Sequence, residues 1–151
     1  MEPDVMEPAD PVTQFSVMLQ NRAGALAALV KLLRNHSIEV VGISVQDSRD
    51  ATVARLVLTD PDLAMQIFIE KGIPFTSSTL VVVSLREAGP GLLQVLDTLM
   101  VAETNVDFAY ALMPSQAGQS LLALHVEDAD FATSVLNQAG FKLLRQADLS
   151  R

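Results

Sequence analysis

The chain has 151 residues and a mass of 16.2 kDa, half of its residues are apolar, and it carries no cysteine. Ten Lys and Arg against eighteen Asp and Glu give a formal charge of −8, the wrong sign for gripping a phosphate backbone by counterion release, so nucleic acid and anionic membrane surfaces are not expected partners. The missing cysteine excludes disulfide frameworks, thiol nucleophiles and thiolate metal sites, and the length suffices for one sizeable domain or two small ones.

Residues 1–11 combine Glu2, Asp4, Glu7 and Asp10 with Pro3, Pro8 and Pro11 and no base. This acidic, proline-broken tail reads as disordered and lacks the pattern of a secretory leader. The densest apolar run, Leu80-Val81-Val82-Val83, is far shorter than the roughly 18 residues of a membrane span, and a cytoplasmic protein is expected.

An apolar strand at 15–19 leads into the turn Gln20-Asn21-Arg22-Ala23-Gly24. A helix over 24–36 follows, with Leu26, Leu29, Val30 and Leu33 on one face. Strands at 38–46 and 52–58 flank Asp47-Ser48-Arg49-Asp50, a hairpin-loop composition. Asp60-Pro61 and Gly72 mark the start and stop of a helix over 61–71. A strand at 73–76 closes the first unit.

The same order then recurs, with Gly91 aligning on Gly24 and Leu93, Leu96 and Leu99 on Leu26, Leu29 and Leu32. The second unit is read as strand 79–85, helix 90–102, strands 105–113 and 119–126, helix 130–138, Gly140 as a cap, and strand 141–147. Each unit is a split βαβ, so the fold class is α+β: two ferredoxin-like βαββαβ units with antiparallel sheets and helices on one face. The expected division is a tail at 1–11 and units at 12–77 and 78–151. Along the second strand Ile38 and Val40 have one parity and Val41, Ile43 and Val45 the other, which calls for burial of both faces or a bulge. The units are therefore expected to associate side by side, within the chain or across a homodimer.

Catalytic chemistry has little to work with. His36 and His125 are isolated from each other in sequence and read as structural or solvent-facing. Glu127, Asp128 and Asp130 occupy a helix start, where acids favour the macrodipole and cap the backbone, and they lack metal-site spacing. No cofactor is expected. Glu39 and Asp107 stand out as acids inside strand patterns, facing either solvent or a ligand cation. Neither glycine turn has phosphate-loop spacing. Each still lets backbone approach a ligand at a helix N-terminus, which favours a carboxylate, and the Asn21 amide can serve both an ammonium and a carboxylate. A free amino acid fits that combination; the alternative is that Asn21 is a cap and Gly24 eases packing.

The stretch 15–59, through Asn21-Arg22-Ala23-Gly24-Ala25-Leu26, Ser37-Ile38-Glu39-Val40 and Val53-Ala54-Arg55-Leu56-Val57-Leu58, resembles an ACT domain. The first unit is similar to the ACT domain of the acetolactate synthase regulatory subunit, and the second matches through Pro90-Gly91-Leu92-Leu93 and Thr104-Asn105-Val106. The resemblance spans about 13–148. It implies a non-catalytic regulatory module binding an amino acid between ACT units, at Asn21, Arg22, Ala23, Gly24, Ala25, Leu26, Glu39, Pro90, Gly91 and Asn105. It further implies a homodimer, and a metabolic enzyme such as acetolactate synthase as a partner, or a dimerisation module whose ligand site is vestigial. The sequence departs from the family pattern in having Glu39 where a second asparagine is common and Ala88 where the first unit has Asn21. Neither unit carries both amides, which implies a composite pocket or a site lost from one unit.

An acylphosphatase is disfavoured by the absence of that family's Gly-Phe-Arg signature, an RNA-recognition sheet by dispersed aromatics amid excess acid, and a metal chaperone by the lack of cysteine.

Overall fold

The computed structural model describes residues 10–20, 22–47, 50–113 and 119–150. The elements are β1 (Val12–Leu19), α1 (Ala25–Asn35), β2 (Val40–Asp47), β3 (Thr52–Leu58), α2 (Pro61–Lys71) and β4 (Phe75–Leu85) in the first half. The second half has α3 (Ala88–Val101), β5 (Val106–Leu112), β6 (Ser120–Val126), α4 (Ala129–Gln138), β7 (Lys142–Leu144) and α5 (Gln146–Leu149). Two βαββαβ units are present, as the repeat implies.

Local chemistry places the helices. Asp60 accepts from the Leu63 N–H at 3.1 Å, Pro61 opens α2, and Gly72 closes it with φ +68°, a conformation that favours glycine. Asp128 caps α4 through the Phe131 N–H at 3.0 Å.

The units are not joined by a linker. The strands expected at 73–76 and 79–85 are one eleven-residue strand, β4, and Ser77 lies inside it. Nothing between Phe75 and Leu85 breaks a strand, since the run holds neither Gly nor Pro. The first half of β4 pairs antiparallel with β1, from Val17↔Phe75 to Val12↔Leu80. Its second half pairs with β6, from Val81↔Leu124 to Leu85↔Ser120, and with β7, from Val82↔Leu144 to Ser84↔Lys142. The sheet order is β2-β3-β1-β4-β6-β5, with β7 also on β4.

This sheet curls until its ends meet, where the Met113 N–H donates to Val41 O at 2.8 Å. The association is thus made within the chain, by a shared strand and apposed inner faces rather than by two sheets laid side by side. Three cores result. One lies under α1 and α2 and holds Phe15, Leu33, Leu56 and Phe68; a second lies under α3 and α4 and holds Val83, Val95, Leu124 and Leu136. The third fills the curl with Val12, Val57, Leu80, Val82, Leu112, Leu121 and Leu149. Strand alternation sends Leu80 and Val82 inward and Val81 and Val83 toward the helices, so β4 is apolar on both faces. In β2 the register shifts between Val40 and Gly42, with Val41 facing the inner core and Val40 and Ile43 the helical one.

Two expectations need correction at the chain ends. Residues 1–9 lie outside the described residues, but Asp10 belongs to the fold, its carbonyl accepting from the Gln146 N–H at 3.2 Å, and β1 starts at Val12. The final strand stops at Leu144 instead of 147, and α5 follows it. Leu149 enters the inner core, and the buried Gln146 side chain accepts from the Thr13 N–H at 3.1 Å and donates to Leu58 O at 2.9 Å. Burying Leu149 and pairing two backbone groups favours the helical turn over one more strand residue pair.

Candidate functional site

At the first turn, Asn21 lies outside the described residues. Arg22, Ala23 and Gly24 are exposed, while Ala25 and Leu26 are half-buried and Leu26 packs on the helical core. The cap position of α1 is Gly24, which has no side chain to cap with. Its φ of +87° explains the glycine; a Cβ there would meet open space, so room for packing is not the reason.

The second turn is built differently. Gly91 is buried, and a Cβ on it would come within 3.2 Å of Leu85 Cβ, so this glycine lets α3 approach β4 closely. The Gly91 N–H closes on Glu87 O at 2.8 Å, and Pro90 has no N–H. The first-turn N–H groups of Ala88 and Gly89 have no intrahelical acceptor, and Glu87 makes no cap bond to them.

Beside this turn is a cleft of about 730 Å³, bounded by the end of β4, the start of α3, Gln119 ahead of β6, and the Gly140–Lys142 link. Pro90 and Gly91 line it together with Arg86, Glu87, Gln94 and Lys142. Two cations and a helix N-terminus suit a carboxylate, Glu87 suits an ammonium, and the Gln94 and Gln119 amides can serve either. Arg86, Glu87, Gln94, Gln119 and Lys142 were not singled out from sequence. Of these, the adjacent Arg86-Glu87 pair ahead of the turn carries a local sequence signal, and Gln119 and Lys142 carry none.

The structure does not bring the remaining candidates to these turns. A βαβ crossover puts the two ends of its helix at opposite ends of the sheet, so Glu39 is separated from the first turn by the eleven residues of α1, about 16 Å. Glu39 is exposed, its backbone exchanges hydrogen bonds with Thr59, and its carboxylate lies 3.8 Å from Arg34 Nη1. Asn105 likewise follows α3, fourteen residues or about 21 Å from the second turn. The two turns are also apart. The Met18 N–H donates to Pro74 O at 3.1 Å, which holds the first near the start of β4, and the second leaves from its end. Eleven strand residues, roughly 35 Å, lie between. A composite pocket made from both turns of one chain is therefore not formed.

Polar groups running from inside the curl to its exposed edge form a separate cluster. His125 and Asp107 are 2.9 Å apart, His125 stacks on Phe108 at 4.7 Å, and the Arg55 guanidinium lies over the other strand partner of that stack, 3.9 Å from the Phe108 centroid. The Tyr110 hydroxyl donates to Gln14 Oε1 at 2.6 Å, and Gln14 Nε2 donates to Ser78 Oγ at 3.2 Å. Burial raises the Tyr110 phenol above its ordinary pKa, against the opposing pull of Arg55. These contacts join β1, β3, β4, β5 and β6 and run from the buried Gln14 in the curl out to the solvent-exposed His125–Asp107 pair. His36 bonds Leu32 O at 3.0 Å at the end of α1. Among the described residues no group of three His, Asp or Glu is placed to hold a metal ion.

A profile of the ACT domain pair matches residues 11–151. The chain belongs to the ACT domain pair family. Among solved structures, this ACT pair superposes on a Bacteroides thetaiotaomicron protein with a TM-score of 0.86 at 20% identity, covering 96% of this chain and 99% of that one. The ligand-free regulatory subunit of aspartate kinase from Thermus thermophilus gives 0.59 at 11% identity over 84% and 89%. A structure of aspartokinase alpha and beta subunits gives 0.57 at 18% identity over 84% and 90%. At these identities the likeness is one of fold. No curated protein matches the sequence. Among the described residues no helix is long and apolar enough to cross a membrane.

Proposed function

We propose that this ACT pair is a non-catalytic regulatory module that binds a free amino acid and, as a homodimer, acts on an enzyme of amino-acid biosynthesis. The observation that carries the ligand reading is the cleft at the start of α3, where Arg86, Lys142, Glu87 and the helix N-terminus line a volume sufficient for a small zwitterion. Family membership supports a regulatory role. Acetolactate synthase and aspartate kinase are the first enzymes to test as partners. The first turn, with Asn21, Arg22 and Gly24 to Leu26, is the second candidate site, and Glu39 or Asn105 joins either only from another copy. A dimerisation module with a vestigial site is the competing reading.

A thermal-shift screen of the twenty amino acids separates these. A ligand of the native state raises stability by about 2.7 kcal/mol at a hundredfold excess over Kd. Loss of a hydrogen bond to a charged group costs about 1.5–3 kcal/mol, so Arg86→Ala is expected to weaken calorimetric binding tenfold to a hundredfold, with Asn21→Ala neutral. The reverse pattern moves the site to the first turn, and no shift by any amino acid at millimolar concentration leaves the vestigial reading.

A further inference from the structure

Helix α3 buries only a narrow stripe. Gly91, Val95 and Leu99 face the sheet, yet Leu92, Leu93, Leu96, Met100 and Val101 are 39%, 61%, 39%, 66% and 80% exposed. At 100° per residue, Leu92, Leu96, Met100 and Leu93 fall within about 100° of arc, and Asp97 lies at the border of that stripe. A solvated helix face normally carries charge; here the one ionised side chain of α3 is Asp97. The pairing of Val106 with Val126 puts the end of α3 and the start of α4 at the same end of the sheet, where Phe131 is 48% exposed.

We infer that this face of α3 is the contact between two copies of the chain, packed helix on helix across a two-fold axis. The first argument is geometric. A two-fold demands that both helices engage through the same rows of side chains, and the symmetric solution is for i±4 rows to mesh at a crossing near −50°. Leu92, Leu96 and Met100 form one such row and Leu93, Asp97 and Val101 the next, so α3 presents both the ridge and the adjoining groove that a copy of itself needs. Asp97, on the outer row, stays at the rim of such a crossing, where it keeps its water. The second argument is area. The exposed apolar side chains of α3 present roughly 500 Å², toward the top of the largest patch an ordinary monomer shows. Mating two copies hides up to about 1,000 Å² from these side chains alone, which reaches the threshold of a specific interface. Residues 1–9 set Glu2, Asp4 and Glu7 among Met1, Val5 and Met6, a composition that does not match such a face. The inference rests on the homodimer of the proposed function but not on its ligand, because Leu92, Leu93, Leu96, Met100 and Val101 are not among the residues that line the cleft.

Sedimentation velocity on the full chain is expected to give a dimer. Leu93→Glu with Met100→Glu should give a monomer with unchanged far-ultraviolet circular dichroism, since both side chains are exposed and the double variant leaves the cores intact. With no native cysteine, Leu96→Cys should form a disulfide-linked dimer under mild oxidation, because a central row residue lies near its own copy at the axis. Ile69→Cys on α2, 66% exposed, should not. A monomeric wild type, a dimer that survives the two glutamates, or equal cross-linking at 69 and 96 overturns the inference; a monomer that associates only with a heterologous enzyme assigns the face to that enzyme instead.

Discussion

Tyr110 is the chain's one tyrosine, and its place between Gln14 and the inner core makes it a probe of the curl. Burial raises its phenol pKa above the value of about 10 that it has in the unfolded chain, and the hydrogen bond it donates to Gln14 holds the neutral form as well. A proton held more tightly in the folded state stabilises that state fully below pH 10. The contribution is lost as pH rises beyond 10, at about 1.4 kcal/mol per pH unit, until the folded phenol ionises. Unfolding free energies from urea titrations at pH 8 to 11 should therefore fall above pH 10 in the wild type by up to that increment more than in Tyr110→Phe, with the midpoints following. The substituted protein starts lower, because Gln14 Oε1 loses its donor in a buried setting at a cost of about 1–3 kcal/mol. Parallel midpoint curves for the two proteins would show that the phenol does not carry the alkaline loss.

At the scale of elements, closure of the curl depends on β2 passing close to β5. Gly42 sits just after the β2 bulge, and a Cβ there would overlap Leu112 Cδ2 and lie 3.3 Å from Val57 Cβ. Gly42→Ala is expected to destabilise by about 1–3 kcal/mol through overpacking. Because the obstruction is the tip of Leu112, the cost should shrink when Leu112→Ala is already present, a non-additivity that denaturant titration of the cycle measures; strict additivity would place the strain elsewhere. Which elements were legible in the sequence follows from the same local chemistry. The bounds of α2 and β3 agree with expectation to the residue, because Asp60-Pro61 and Gly72 punctuate one and the hairpin loop the other. The unity of β4 is hidden, since Ser77 and Ser78 look like a linker and are held in a strand only by Phe15 and Gln14 across the sheet. The α5 turn was hidden too, for its reasons are the distant groups Thr13, Leu58 and the inner core. The glycine turns were legible as ligand-facing features, but the local sequence is the same kind of signal at both. What distinguishes the second is a cleft whose far wall, Gln119 and Lys142, is brought in by β6 and β7.

At the scale of the molecule, the shared strand decides how the chain folds. Division into units at 12–77 and 78–151 would cut inside β4, separating residues 78–80 from β1 and opening the inner core, which draws Val12 and Val57 from one side and Leu80, Val82, Leu112, Leu121 and Leu149 from the other. A half of about 70 residues is already marginal, since a short chain buries a smaller share of its surface. Exposing the curl-side face of its sheet would present a contiguous apolar surface to water and remove the hydrogen bonds that Gln146 makes to Thr13 and Leu58 across the divide. The whole chain is therefore expected to unfold in one transition, with equal calorimetric and van't Hoff enthalpies, and with tyrosine fluorescence and far-ultraviolet dichroism changing together. Fragments 1–77 and 78–151 expressed separately should each lack a cooperative transition, and mixing them should restore one. A cooperative melt by either fragment alone would mean that the helical core of one unit suffices and that the curl is an association of two folded bodies.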